Sequence, residues 1–433
     1  MSEPLLYALG VVVFLVGLAV SIALHEVGHM VPAKAFGAKV TQYFVGFGRT
    51  VWSRRRGETE YGLKAIPLGG FVKIVGMLPP HRGDDPSQVR TSNTGLFTQL
   101  VSDARTAEYE HVTPDDEPRL FYKLPWWKKA IVMAGGPVVN LAIAFALFAA
   151  IFLSIGAQTL TTTISSVSDC VIPAAEAPRT CTSTDPVAPA KESGLEAGDE
   201  IVSFNGEPID DWSQMQTAIR SNGDSAATIG YVRDGETYET TVNTSVQPRP
   251  VGDDPAVTEE VGFLGVAPTA GYERQDLGYV VTTMGDMTVG TVEAIASLPQ
   301  KMVEVTQSIF GAERADDTPM SPVGASRVAG EMVTIEGTTW TDRVYRIATL
   351  LAAVNLFVAL FNFIPLLPLD GGHIAGALWE GLRNAIARLR RRPLPGPVDV
   401  GRMLPVAYGV GALLLVMGVI LILADIINPV RLT

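Results

Sequence analysis

Four stretches of this chain, roughly residues 5–27, 131–155, 346–369 and 404–427, are long and apolar enough to cross a hydrocarbon core of about 30 Å. Inside lipid every backbone N–H and C=O must find its partner within the chain, so such stretches are confined to helices. The chain therefore reads as a polytopic α-helical membrane protein with four transmembrane helices. A mean hydropathy of +0.24 and 47% hydrophobic residues agree, both being high for a wholly soluble chain of 433 residues. The first run has no basic segment ahead of it and no small-residue cleavage site behind it, which argues for a retained span over a cleaved secretory signal.

Basic residues near the span ends set the expected orientation. Lys34, Lys39, Arg49, Arg54, Arg55, Arg56 and Lys64 follow the first span, and Lys123, Lys128 and Lys129 precede the second. Arg383, Arg388, Arg390, Arg391, Arg392 and Arg402 separate the third from the fourth. Both loops are expected in the cytoplasm. The acidic stretch between spans two and three faces outward together with both termini, and it accounts for much of the net charge of -12, which disfavours nucleic acid as a partner. Cys170 and Cys181 are the only cysteines and both fall in that outer region, where a disulfide is permitted; two free thiols are the alternative.

The first span runs into Ile22-Ala23-Leu24-His25-Glu26-Val27-Gly28-His29. Residues four apart share a helix face, so His25 and His29 can turn their imidazoles toward one ion while Glu26 stays free to take a proton from a metal-bound water. Ionisable groups cost roughly 2.5–3.5 kcal/mol each near a bilayer centre on insertion scales, so the cluster needs a reason to be there. The alternative is a span that ends at Leu24 with three polar residues in water. A second half-site favours the metal: the third span ends in Asn362-Phe-Ile-Pro-Leu-Leu-Pro-Leu-Asp370-Gly-Gly-His373, with a carboxylate beside a helix that two prolines would break. The orientation above brings Asp370 to the same side as His25 and His29. Two histidines and one carboxylate with a fourth position open suit a catalytic zinc, whereas His373 as a fourth protein ligand would close the position that water needs.

Between the spans, residues 40–75 alternate β-branched and aromatic residues with glycine punctuation and read as short strands joined by a hairpin near Arg54–Gly57. Gly46, Gly48, Gly69 and Gly70 mark places where another backbone is expected to approach closely. Residues 77–120 look irregular, with His81 and His111 read as solvated. Gly135, Gly136 and Asn140 open the second span, the glycines allowing close helix approach and the asparagine requiring a partner at membrane depth. Residues 161–268 resemble one small soluble domain, with turns at Asn205-Gly206 and Asp234-Gly235 and a helix from Trp212 to Arg220. Ser193-Gly-Leu-Glu-Ala-Gly-Asp-Glu-Ile-Val-Ser-Phe-Asn-Gly-Glu-Pro-Ile resembles a PDZ domain, which implies a groove for an extended peptide or, with the groove unused, a steric filter. Val292, Ile295, Leu298, Met302, Val305 and Ile309 then make an apolar stripe at helical spacing.

Together with Pro67-Leu-Gly-Gly-Phe-Val-Lys, Gly136-Pro-Val-Val-Asn and Ser321-Pro-Val-Gly, the two half-sites resemble the site-2 protease family of intramembrane zinc metalloproteases, in particular the bacterial RseP (regulator of sigma-E protease) group. The likeness covers nearly the whole chain, with a single PDZ-like copy. It implies that His25, His29 and Asp370 ligate one Zn2+ per chain, that Glu26 is the general base, and that Asn362 helps hold substrate. The glycine-bearing strands would be a cytoplasmic membrane-reentrant β-region that pairs with an unwinding substrate. The substrate-binding candidates are thus Asn362, Gly46, Gly48, Gly69, Gly70 and Asn140. The implied location is a bacterial inner membrane with the active site toward the cytoplasm. The implied substrates are single-span membrane proteins, such as anti-sigma factors pre-cut by a site-1 protease, and the lipid bilayer is the other partner.

The expected division is a first transmembrane helix (1–38), the reentrant β-region (39–76), a cytoplasmic insertion (77–130) and a second transmembrane helix (131–156). An extracytoplasmic α/β PDZ-like domain (161–270) and an amphipathic helical region (271–345) follow. The third transmembrane helix with its Leu-Asp-Gly motif (346–382), a basic cytoplasmic loop (383–403) and the fourth transmembrane helix (404–427) complete the chain. Two other classes compete: a non-catalytic scaffold that presents peptides through the PDZ-like domain, and an ion transporter that uses His25, Glu26 and Asp370 as a relay. The first leaves the metal constellation unexplained, and the second lacks an obvious inverted repeat.

Overall fold

The computed structural model describes residues 2–79, 112–173, 179–251, 254–315 and 317–430, so His81 and His111 lie outside the described residues. In chain order the elements begin with α1 (Glu3–Ala35), β1 (Val40–Arg56), β2 (Thr59–Ile74), α2 (Trp126–Ser154) and β3 (Ala157–Val167). There follow α3 (Pro189–Glu192), β4 (Glu200–Phe204), β5 (Glu207–Pro208), α4 (Trp212–Asn222), β6 (Ala226–Arg233), β7 (Glu236–Asn243), β8 (Ser245–Val251), β9 (Asp254–Phe263) and β10 (Val266–Glu273). The last elements are α5 (Leu277–Ile309), α6 (Pro322–Thr334), α7 (Trp340–Asn362), α8 (Asp370–Leu389) and α9 (Leu404–Ile427). They form two compact units, Met1–Ser154 with Asp276–Thr433, and Ile155–Gln275.

In the first unit α1, α2, α7 and the Val400–Ile427 helical stretch are each long and apolar enough to cross a membrane. The unit is a polytopic membrane domain. Its helices meet where side chains are small: a Cβ on Gly28 would stand 2.7 Å from the Gly135 carbonyl carbon, so α1 and α2 approach backbone to backbone, the role expected of Gly135. Ser21 on α1 accepts a 3.0 Å bond from the Asn355 Nδ2 on α7, which pairs two polar groups at membrane depth. Phe14, Ala329, Val333 and Ile347 form a buried cluster joining α1, α6 and α7. Ser321 caps α6 and its N–H donates to Asp425 of α9 at 2.7 Å; Asp425 in turn pairs with Arg314 at 2.8 Å, both side chains being 1% exposed. The Ser-Pro-Val-Gly stretch is therefore the point where α6 is pinned to the end of α9.

Strands β1 and β2 each fold back on themselves, giving a sheet of short segments of the kind the glycine punctuation predicts: residues 50–56 pair with 59–64 across the Gly57 turn, and residues 42–45 lie between 60–63 and 70–73. Gly46, Gly48 and Gly69 stand at the bends between these segments, with φ of +93°, +85° and +94°. The half nearest the helices is buried at Val40, Phe44 and Ile74, while the tip exposes Phe47, Val51, Trp52, Leu63 and Ile66.

Other boundaries also move. Helix α7 stops at Asn362, short of the expected 369, because Pro365 lacks an N–H and disfavours helical backbone at Ile364. The segment expected to be a basic loop from 383 is helical through Leu389, so Arg383 and Arg388 stand on α8. In α5, Met302, Val305 and Ile309 pack against Leu421 and Ala424, but Val292 of the expected stripe is 54% exposed.

The second unit is built on a sheet of order β10-β3-β4-β6-β7, with β5 on β4, and a separate β8-β9 hairpin. Ile164, Ile201, Phe204, Met215, Ile219, Ile229 and Leu264 form its core beneath α4. The turns fall at Asn205-Gly206 and Asp234-Gly235, all four residues at positive φ, as two-residue hairpin loops require. Cys170 and Cys181 form a disulfide across a Cα separation of 6.0 Å. Asp199, 1% exposed, receives Arg233 at 2.7 and 2.8 Å and the Glu196 N–H at 2.8 Å.

Candidate metal centre

Among the described residues one group of side chains is arranged to hold a metal: His25, His29 and Asp370, whose ligand atoms all lie within 4.8 Å of one another. Helix α1 supplies both histidines from one face, one turn apart. Asp370 comes from the first residue of α8, 341 residues beyond His29, and the turn that delivers it is tight. A Cβ on Gly371 would stand 2.5 Å from the Phe363 carbonyl oxygen and one on Gly372 2.6 Å from the Leu367 nitrogen, so only glycines fit after the aspartate.

The separations are His25 Nε2 to His29 Nε2, 3.2 Å, and each Nε2 to Asp370 Oδ2, 3.3 Å. Three donors bonded to a tetrahedral zinc at about 2.0–2.1 Å would stand about 3.3 Å from one another. The set fits that ion. His29 Nδ1 donates to the Val132 carbonyl at 2.8 Å, which fixes the tautomer and leaves the Nε2 lone pair facing inward. Asp370 Oδ2 is buried with no hydrogen-bond partner although two imidazole nitrogens face it, and converging lone pairs of this kind call for a cation.

The walls of this site come from two further elements. Helix α2 presents Gly136, where a Cβ would stand 2.7 Å from His25 Cε1 and Nε2 and closer still to His29 Nε2. Strand β2 presents Gly70, where a Cβ would stand 3.1 Å from Glu26 Cγ, and the Val72 N–H faces the Glu26 carboxylate. Tyr43 ties β1 to the same helix by donating to the Ala23 carbonyl at 2.9 Å.

The remaining predicted residues are placed as follows. Asn362 is the half-buried last residue of α7, at the start of the turn that ends in Asp370. Asn140 is 2% exposed on α2, one turn beyond Gly136, with no partner for its Oδ1. Of the four glycines predicted to meet another backbone, only Gly70 has the metal group's helix as a neighbour. At Gly46 the approaching backbone is that of Ile66 on the partner strand, and Gly48 and Gly69 face Ile66 and Phe47. Sequence reasoning missed Gly136 as a wall of the site, Val132 as the holder of His29, and the Val72 N–H. Only Gly136 carries a signal, as a glycine inside an apolar span, and that signal points to helix packing rather than to a metal-site wall.

Residues 13–400 match the family model described as Peptidase family M50. The chain belongs to that family. It is 35% identical over 443 aligned positions to the zinc metalloprotease Rip1 of Mycobacterium tuberculosis strain H37Rv, covering 99% of this chain and 100% of the relative. Against the zinc metalloprotease Rip1 of Mycolicibacterium smegmatis the identity is 34%, covering 98% and 99%. A putative zinc metalloprotease of Brucella suis is 26% identical, with 89% of each chain covered. The M50 match spans both half-sites, so membership rests on α1 and α8 together.

Proposed function

We propose that this chain is an intramembrane zinc metalloprotease of the site-2 type, in which His25, His29 and Asp370 hold the zinc and Glu26 is the proton carrier. The observation that carries the assignment of ligands is the triangle of donor atoms at 3.2, 3.3 and 3.3 Å, assembled from two helices with an unpartnered carboxylate oxygen at one corner. Zinc bound there supplies Lewis acidity and makes a water acidic enough to react near neutral pH. Glu26, one residue after the first histidine, holds the proton released as the peptide carbonyl is attacked and returns it to the leaving amine. Val72 and Gly70 keep its carboxylate in place.

The substrate is a membrane-protein segment. An intact helix hides its amides in its own hydrogen bonds, so the segment must unwind before its carbonyls can be reached. The β1–β2 hairpin would supply replacement backbone bonds beside α1, and Asn362 and Asn140 would hold polar groups of the unwound strand. The basic residues beside the spans support an orientation with the metal centre toward the cytoplasm, and the hairpin with its apolar tip reentering the bilayer from that side. The Ile155–Gln275 unit would then be extracytoplasmic. Its sheet with α4 alongside supports the PDZ-like reading. A groove of about 310 Å3 between α4 and the Val261–Val266 strand segment, lined by Trp212, Ile219, Arg220 and Phe263, would take an extended peptide end. Anti-sigma factors already trimmed outside by a site-1 protease are the substrate class that this arrangement suits.

The test compares membrane-protein fragments in cells carrying the wild-type protein or Glu26→Gln. The proposal expects full-length single-span substrates to accumulate in the variant while its zinc content stays at one per chain. Continued cleavage by a zinc-loaded Glu26→Gln protein would remove Glu26 from the mechanism.

A further inference from the structure

Helix α8 begins at the metal site and carries two faces of opposite destination. Its inner face is buried at Ala377, Glu380 and Gly381. Lys129 of α2 donates to both Glu380 oxygens at 2.9 and 2.8 Å, the Val398 N–H reaches Glu380 at 3.2 Å, and a Cβ on Gly381 would stand 2.6 Å from the Trp126 indole. Leu378, Trp379, Leu382, Ile386 and Leu389 recur at helical spacing on the opposite side and are between 40 and 86% exposed. No described residue covers that stripe.

The register of α8 on α2 says where the stripe goes. Asp370 and Gly136 both lie against His29, whereas Glu380 and Gly381 lie against Lys129 and Trp126. Helix α8 therefore runs antiparallel along α2 toward its first turn, where Trp126 and Trp127 mark a membrane boundary. Arg388 stands seven residues past Gly381, about 10 Å farther along the axis. Arg388, Arg390, Arg391 and Arg392 are exposed there, and none has a carboxylate within 4.0 Å among the described residues. Arg383 is occupied, donating to the Gly396 carbonyl at 3.0 Å. An apolar stripe that continues past the tryptophan level and ends in four unpaired arginines complements a surface with acyl chains below and negative charge above.

We propose that the second half of α8 with the Arg388–Arg392 turn is a binding surface for anionic phospholipid: headgroup phosphates on the arginines, and acyl chains along Leu382, Ile386 and Leu389. This inference rests on the membrane placement of α2 and α8 and is independent of the protease reading. Because α8 is pinned to α2 by Lys129–Glu380 and starts with Asp370, the surface fixes the far end of the element that delivers a metal ligand.

The test uses the full chain in phosphatidylcholine vesicles containing either brominated phosphatidylglycerol or brominated phosphatidylcholine at equal mole fraction. Trp379 quenching is isolated by subtracting the Trp379→Phe protein. A basic residue near an anionic surface strengthens binding on the order of fivefold. Brominated phosphatidylglycerol is thus expected to quench Trp379 at severalfold lower mole fraction than brominated phosphatidylcholine. That preference should be lost, to within about twofold, in the Arg388→Gln, Arg390→Gln, Arg391→Gln, Arg392→Gln protein and persist when the same four are changed to Lys. Unchanged zinc content and thermal midpoint in both variants verify folding, since all four side chains are exposed. Equal quenching by the two lipids, a preference that survives the Gln changes, or Trp379 shielded from both lipids by a second copy of the chain would each overturn the proposal.

Discussion

Gly136→Ala is the most discriminating perturbation of the metal centre, because it adds one methyl group and changes no ligand. The new carbon would stand 2.7 Å from His25 Cε1 and Nε2 and nearer than that to His29 Nε2. Carbon in van der Waals contact needs about 3.5 Å, so His25 must retreat by about 0.8 Å and His29 by more. His29 cannot do so cheaply: its Nδ1 is held by the Val132 carbonyl at 2.8 Å and the residue is 5% exposed. His25 has no partner at Nδ1 and turns aside, but that leaves the closer contact with His29, so His29 must also strain its Val132 bond and both Nε2 atoms leave the triangle. A zinc site tolerates distance errors of about 0.2 Å, and disturbing the groups that merely orient ligands already costs about 10- to 100-fold in affinity. Displacing a ligand itself should weaken zinc binding at least about 100-fold, or about 2.7 kcal/mol. Alanine is the better helix former by about 1 kcal/mol, so the metal-free protein should unfold at a similar temperature to the wild type. Metal content after dialysis and chelator competition on detergent-purified protein measure the effect. A Gly136→Ala protein that keeps one zinc with affinity within threefold of wild type would refute this geometry.

Further outcomes follow from other contacts. Gly70→Ala places a carbon 3.1 Å from both Glu26 Cγ and the Phe44 carbonyl; the backbone does not yield, so Glu26 moves by a few tenths of an ångström, and turnover of a reporter membrane segment should fall about tenfold with zinc content unchanged. Arg314→Ala leaves the Asp425 carboxylate buried without its cation and should cost about 3–5 kcal/mol, read as a lower thermal midpoint in detergent, whereas Arg314→Met with Asp425→Leu should recover most of it. In the Ile155–Gln275 unit, burial pushes the Asp199 carboxyl up, but the Arg233 bonds and the Glu196 N–H outweigh it and hold it below the usual 3.8. A depressed carboxyl contributes stability that is present above its unfolded value and lost as pH falls through the folded one. Unfolding of that unit should therefore be flat in pH above about 5 and weaken below about 4, and Asp199→Asn should flatten the acid limb.

The parts of the architecture legible in the sequence are those whose physics is local. Apolar length alone located the four spans, and Asn205-Gly206 and Asp234-Gly235 located their turns because only such pairs take two positive φ values cheaply. His25, Glu26 and His29 were legible from helical spacing, and Asp370 from a carboxylate beside broken helix. What escaped depends on contacts between distant segments. The Lys129–Glu380 bond joins residues 251 positions apart, and without it Arg383 and Arg388 read as loop charges rather than as the last turns of α8. Gly46 and Gly70 look alike in a strand, yet one meets its own partner strand and the other meets Glu26; that distinction exists only once the hairpin lies against α1. Val132 acts through its carbonyl, which no side-chain pattern reports.

Two imidazoles and one carboxylate are expected to hold the metal while His373, three residues after Asp370, stays out of the coordination shell. X-ray absorption at the zinc edge of the purified full chain tests it directly. The expected result is one zinc per chain with oxygen and nitrogen neighbours at about 2.0–2.2 Å and the multiple-scattering signature of two imidazoles. A third imidazole, or a spectrum unchanged by Asp370→Ala, would contradict it.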